Sequence, residues 1–319
     1  MHDFRPVPLI GTGQDLMGDI RQWVRSDPMG ELVDAFGGVR ELIFVGDDVR
    51  EWLRALDEFS VCWDSRKGGE RNLAGSLDLT PDQEQLALRA SEALGLRSAA
   101  PPRSRRYDHV FLLGGLVRAC LTRPAYAAEL MRSGAVTAGA VTALGGHREF
   151  RGDEFELAKR AGHPALTNEF DALDLGTRLA FGLEEPISRE GGGAGNSEWT
   201  INTYDPDGSM PIRVAAAPSS DPAHRRANTA DTYAWFAERV ARLPAGSSVL
   251  AITTAIYVPA QHAAALRMLG VPHGLAVETV GVTPGVLPEL AQSFSASQYL
   301  QEVRSAIRSI RDLVDSITG

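Results

Sequence analysis

Two pairs of adjacent glycines, Gly114-Gly115 and Gly145-Gly146, each close a short apolar run, and they stand 31 residues apart. Glycine at such a bend lets main-chain N–H groups approach a ligand, because no Cβ stands in the way. Arg118 and Arg123 follow the first pair, and Pro124 behind Arg123 reads as the opening of a helix. A guanidinium beside a helix N-terminus strengthens a place that already favours phosphate or carboxylate. After the second pair comes His147-Arg148-Glu149-Phe150-Arg151-Gly152-Asp153-Glu154, a polar stretch in which Glu154 opens the next helix. A carboxylate there is a candidate acid or base, and equally a plain complement to the helix dipole.

The most distinctive stretch is Arg225-Arg226-Ala227-Asn228-Thr229-Ala230-Asp231-Thr232. Asn228 or Thr229 caps a helix running from Ala230 to Leu243, with Asp231 in its first turn as a second candidate catalytic carboxylate. Capping does not account for two arginines ahead of an N-terminus, where positive charge opposes the dipole; an anionic ligand at Arg226 would. Thr253-Thr254 and, further on, Tyr257 and Gln261 end a late apolar run, with hydroxyls and an amide that can read a polar edge. Tyr257 is the third candidate catalytic residue.

Other chemistries find no support. The histidines form no HxxxH or HxH set, no Cys/His group has zinc spacing, and neither GxSxG nor GxxxxGK[ST] occurs. No metal cofactor is expected. The net charge of −9 argues against broad binding to nucleic acid, which needs basic surface to displace counterions. Two cysteines, Cys62 and Cys120, make no CxxC pair, which fits a reducing compartment. Without a signal-like N-terminus or a long apolar run, the expected location is the cytoplasm, with no membrane partner.

The elements that must position these residues fall into three regions. Residues 1–100 read as mainly helical, with Leu16, Ile20, Trp23 and Val24, then Val49, Trp52, Leu53, Leu56 and Phe59, at helical spacing. Thr80-Pro81-Asp82-Gln83 predicts a capped helix start, and Ala99 to Arg106 an extended connector. From 107 to 283 the rhythm changes to apolar strand, glycine turn, helix and strand, the βαβ pattern of a parallel sheet. Strands are expected at His109–Leu113, Ala140–Leu144, Val249–Thr254 and Leu275–Val280. An insertion near 185–215 carries the loop Gly191–Gly195 and two segments around Asp205-Pro206-Asp207-Gly208; it reads as a hairpin, with a mobile lid as the sharper alternative. Residues 290–319 form an amphipathic helix whose stripe of Leu300, Val303, Ile307, Ile310, Val314 and Ile317 packs on the N-terminal helices or on a second copy in a homodimer.

In order along the chain, these pieces resemble the YdcF-like family. The matching series is Leu113-Gly114-Gly115, Arg123 with an alanine-rich helix, Leu144-Gly145-Gly146, Asp153-Glu154, Arg226-Ala227-Asn228-Thr229 and Thr253-Thr254. The resemblance spans residues 107–283. It implies a Rossmann-like domain whose loops, with Gly114, Gly115, Arg123, Gly145, Gly146, Glu154, Arg226, Asn228, Thr229 and Thr253, converge on one pocket. It also implies S-adenosylmethionine or a nucleotide as the bound molecule. The family's TxxxHxxRA pattern is broken here, with Tyr257 at the histidine position.

The expectation is an α/β protein with a Rossmann-like parallel sheet, an N-terminal helical region and a C-terminal helix. Its small-molecule partner is a nucleotide-like or adenosyl-bearing anion at the carboxyl ends of the strands. Two functions compete: an enzyme of transfer or hydrolysis, and a non-catalytic binding or sensing module.

Overall fold

A computed structural model describes residues 3–13, 15–65, 75–97, 100–205, 208, 210–283 and 285–318. Contacts divide the chain into a helical unit, Met1–Ser98, Ala255–Arg267 and Ser293–Gly319, and an α/β unit, Ala99–Thr254 and Met268–Gln292. Of the expected connector, Ala99 lies outside the described residues.

The helical unit holds α1 (Leu16–Val24), α2 (Asp27–Ala35), α3 (Arg40–Ile43), α4 (Val49–Phe59) and α5 (Pro81–Ala93). The last opens as its sequence predicts: Thr80 accepts from the Gln83 N–H while Gln83 accepts from the Thr80 N–H. The long C-terminal helix (Ala296–Thr318) packs on α4 and α5 with its Leu300, Val303, Ile307, Ile310 and Val314 stripe buried, while Ile317 is exposed. Arg304 of the same helix does not face solvent. It is buried, donating to the Asp57 carbonyl at 2.8 Å and to Ser60 Oγ at 2.8 Å, and Arg311 also pairs with Asp57.

The α/β unit is built on one seven-stranded sheet. In chain order its elements are β1 (Arg106–Tyr107), β2 (His109–Leu113), α6 (Val117–Arg132), β3 (Thr137–Ala138), β4 (Val141–Gly145), α7 (Glu154–Arg160), α8 (Glu169–Phe181), β5 (Ser188–Gly192), β6 (Trp199–Tyr204), β7 (Ile212–Ala216), α9 (Thr229–Trp235), β8 (Ser248–Thr254) and β9 (Ala276–Val282). The strands lie in the order β5-β6-β7-β4-β2-β8-β9, and β1 and β3 form a separate pair. Only β6 runs against the rest. The continuous apolar runs of β2 and β4 are buried at every position, as sheets covered on both faces require. On one face Val110 and Leu112 join the core formed with α6 and α8. On the other, His109 and Phe111 meet Tyr233 of α9 and Phe236 just beyond it.

The insertion belongs to the sheet. Residues 199–204 and 212–216 pair antiparallel, so the hairpin forms; of its expected turn, Pro206 and Asp207 lie outside the described residues. Gly191 and Gly192, expected in a loop, are the last residues of β5, paired with Thr200 and Trp199. Counted along the chain, the five adjacent parallel strands β2, β4, β7, β8 and β9 stand in the order 3-2-1-4-5. The order reverses between β2 and β8, and a crevice opens at such a switch point beyond the carboxyl ends of the strands.

Candidate functional site

The carboxyl ends of β2 and β4 are held together by a buried ion cluster whose centre is Arg148. Its guanidinium grips Glu154 with both terminal nitrogens, at 2.7 and 2.9 Å, donates Nε to Glu169 at 3.0 Å, and reaches the Gly115 carbonyl at 3.0 Å. Glu154 is completely buried and also accepts from the N–H groups of Val117 (3.0 Å) and Arg151 (3.1 Å). Its four partners saturate it, so it pins α6 and α7 together with no lone pair aimed outward.

Glu169 differs. It opens α8 behind the Asn168 cap, and its own N–H donates to the Arg148 carbonyl at 2.8 Å, which draws the two residues together. Arg148 occupies Oε2. Oε1 makes no hydrogen bond among the described residues and lies over the glycine bends: a Cβ on Gly114 would stand 2.4 Å from it, and one on Gly145 3.2 Å. One guanidinium thus serves two carboxylates. Burial pushes the Glu169 carboxyl above its usual range; Arg148 and Arg226 pull it back, and Glu154 adds to the rise. Arg226 is therefore within electrostatic reach of the same carboxylate that touches both glycine bends, and Glu169 is where they meet.

Within each glycine pair the two members do different things. The Gly114 N–H is spent on the Leu144 carbonyl at 2.6 Å, and its missing side chain makes room for Glu169. Gly115 and Gly146 are half-buried, and among the described residues their N–H groups donate to no acceptor. At Gly146 nothing stands within 4 Å of where a Cβ would be. Two backbone donors on adjacent parallel strands are thus left at the rim.

The nominated arginines are placed unlike the sequence reading. The helix expected to begin at Arg123 begins at Val117, with Pro124 inside it. Buried Arg123 staples two strand ends, donating to the Leu113 and Gly114 carbonyls at 2.5 Å each and to Thr254 Oγ1 at 3.0 Å. Arg118 turns to the carbonyls of Leu290 (2.5 Å) and Ala291 (3.1 Å). Thr253 is fully buried. Asn228 caps α9, accepting from Ala230 and Asp231 N–H groups at 2.9 and 3.1 Å, and Thr229 is the first helical residue. Asp231 completes that capping box and pairs with Arg225, which supplies the reason for one of the two arginines. Burial raises its pKa, but the bonds from Arg225, Ser220 and Asn228 outweigh this and hold the carboxyl at about 2. The expected helix through Leu243 is α-helical only to Trp235 and continues as a π-helical turn, Phe236–Ala241. Tyr257 falls in the helical unit, its ring edge-on to Phe294 at 6.5 Å.

Three residues escaped the sequence reading: Glu169, Arg148 as its partner, and Tyr233. Glu169 behind Asn168 looks like an ordinary first-turn acid. Its link to Arg148 arises from backbone pairing between 148–150 and 167–169, which no periodicity announces. Tyr233 is fully buried with its hydroxyl lacking a hydrogen-bond partner, and Arg123 acts on it electrostatically. Among the described residues no three His, Cys, Asp or Glu side chains gather as metal ligands, and no helix is long and apolar enough to cross a membrane.

Residues 10–95 match the family model described as the Rv3785 N-terminal domain. The chain is 31% identical over 341 residues to the uncharacterized protein Rv3785 of Mycobacterium tuberculosis (strain H37Rv) and to the uncharacterized protein Mb3814 of Mycobacterium bovis. The match covers 97% of this chain and 92% of each relative. No solved structure matches. These findings overturn the resemblance to the YdcF-like family. The physical reason lies in its motifs: glycine bends after parallel strands, a first-turn acid and an Asn-capped helix are what a sheet of this order needs for packing, as Gly114 and Asp231 show.

Proposed function

We propose that this chain, which belongs to the Rv3785 family, binds a small anionic molecule of nucleotide-like chemistry at the carboxyl rim of its parallel sheet and acts on it as an enzyme. One observation carries the reading. Among the described residues the Gly115 and Gly146 N–H groups lack acceptors at the ends of neighbouring strands, beside a carboxylate that Arg226 also reaches. Backbone donors with a nearby guanidinium suit an oxyanion, and the reversal of strand order is where α/β sheets take such ligands. In this reading Arg226, Asn228 and Thr229 approach the anion from the α9 side, while Thr254 and the Arg123 staple fix the crevice wall. Arg118, bonded to carbonyls at residues 290–291, takes no part. Glu154 and Asp231 serve as scaffold, and the acid–base work passes to Glu169.

The supporting test has two stages. Mass spectrometry of the purified chain under native conditions identifies a retained ligand, S-adenosylmethionine and nucleotides being the first masses to seek. Incubation with that ligand then separates turnover from retention, and retention without turnover would make the chain a binding module. Arg226→Ala should weaken binding by about 1.5 kcal/mol or more if it pairs with the anion. An unchanged dissociation constant removes it from the site.

A further inference from the structure

Resting on the anion site just proposed, we infer that Glu169 is its proton-exchanging group: one proton is taken up from solvent onto Glu169 Oε1 for each anion bound, and released when the anion leaves. An anion cradled by Gly115 and Gly146 would lie beside a carboxylate whose Oε1 stands against the Cα side of the same bends. Two negative groups that close do not both stay charged in a desolvated site.

Several features make Glu169 the one to yield. Arg148 spends its two terminal nitrogens on Glu154 and gives Glu169 only Nε. Glu154 receives four hydrogen bonds, whereas the Glu169 carboxylate has one side-chain donor to support its charge. The side chain of Glu169 is 10% exposed, so a proton has a route to it, whereas that of Glu154 has none. The groups around Glu169 are few. Arg148 and Glu154 face it from the segment after β4, Arg226 from the segment before α9, and Cys120 from α6, whose thiol burial pushes up. Guanidinium groups keep their charge across the working range. His147, from the same post-β4 segment, is engaged with Thr200 Oγ1 at 3.0 Å and packs on Phe170. An anion that draws on Arg226 also removes part of what holds the Glu169 charge, so binding and proton uptake reinforce each other.

The test uses sulfate, whose charge is constant from about pH 5 to about pH 8, titrated calorimetrically into the full chain across that range. Affinity should fall as pH rises, by up to about tenfold per pH unit once Glu169 is ionised in the empty site. In Glu169→Gln the slope should vanish while sulfate still binds; dependence borne by His147 or His224 would survive the change. Repeating the wild-type titration in two buffers of different ionisation heat counts the proton directly, and a count of zero overturns the inference even if the variant fails to fold. Sulfate binding without proton uptake, or a slope retained in Glu169→Gln, overturns this inference and leaves the anion site standing. No sulfate binding at any pH overturns both.

Discussion

Neutralising Glu154 should be far more damaging than neutralising Glu169, although the two carboxylates share one arginine. In Glu154→Gln the side chain keeps its shape, but one oxygen becomes an amide that faces donors. Of four bonds, at 2.7, 2.9, 3.0 and 3.1 Å, about half are lost, including one of the two from Arg148. Breaking a buried pair from one side costs about 3–5 kcal/mol. That is a large part of a typical stability of about 5–15 kcal/mol. With a urea m-value of about 2 kcal/mol/M, the unfolding midpoint should drop by roughly 2 M. Glu169→Gln should cost less than about 1 kcal/mol: the Gln oxygen still accepts from Arg148 Nε, and the change removes the buried charge that has least support. Urea unfolding followed by circular dichroism, with both variants at one pH, measures the difference. Equal losses, or a larger loss for Glu169→Gln, would refute the division of labour between a structural Glu154 and a spare Glu169.

Four further outcomes are expected. Gly114→Ala places a Cβ 2.4 Å from Glu169 Oε1 and 2.8 Å from the Leu144 carbonyl; it should cost about 1–3 kcal/mol by thermal melting. Gly146→Ala meets open space and should fall within about 0.5 kcal/mol of wild type. Tyr233→Phe removes a buried hydroxyl that has no hydrogen-bond partner, so it should be neutral or stabilising; a loss of about 1 kcal/mol or more would reveal a partner. Asp231, held at about 2, stabilises the fold above its unfolded pKa of about 3.9, a contribution lost as pH falls through about 2. In Asp231→Asn this part of the acid unfolding profile should flatten.

Strands β2, β4, β8 and β9 were legible because buried parallel strands are short, continuous apolar runs, and the Thr80 box because capping is written in four adjacent residues. The helix at Arg123 was misplaced because Pro124 looks like a start. Inside α6 its missing N–H leaves the Cys120 carbonyl facing Gly176, whose Cα comes so close that a Cβ would clash at 2.1 Å. In the candidate site, Gly114, Gly145 and Arg226 could be named from local chemistry. Their shared neighbour Glu169 could not, because what sets it apart is a competition with Glu154 for Arg148 that exists only once residues 148 and 169 are brought together. Arg225 misled for the opposite reason: its partner Asp231 is a few residues on, yet reads as a first-turn catalytic acid.

The central claim, that the rim around Gly115, Gly146 and Arg226 receives an anion, is tested most directly by sulfate titration of the amide-labelled chain followed by nuclear magnetic resonance. The account predicts that the Gly115 and Gly146 N–H signals move first and together, with Arg226 and Asn228 close behind and a single dissociation constant for all. Shifts confined to other surfaces, with those two glycine amides unmoved at saturation, would contradict it.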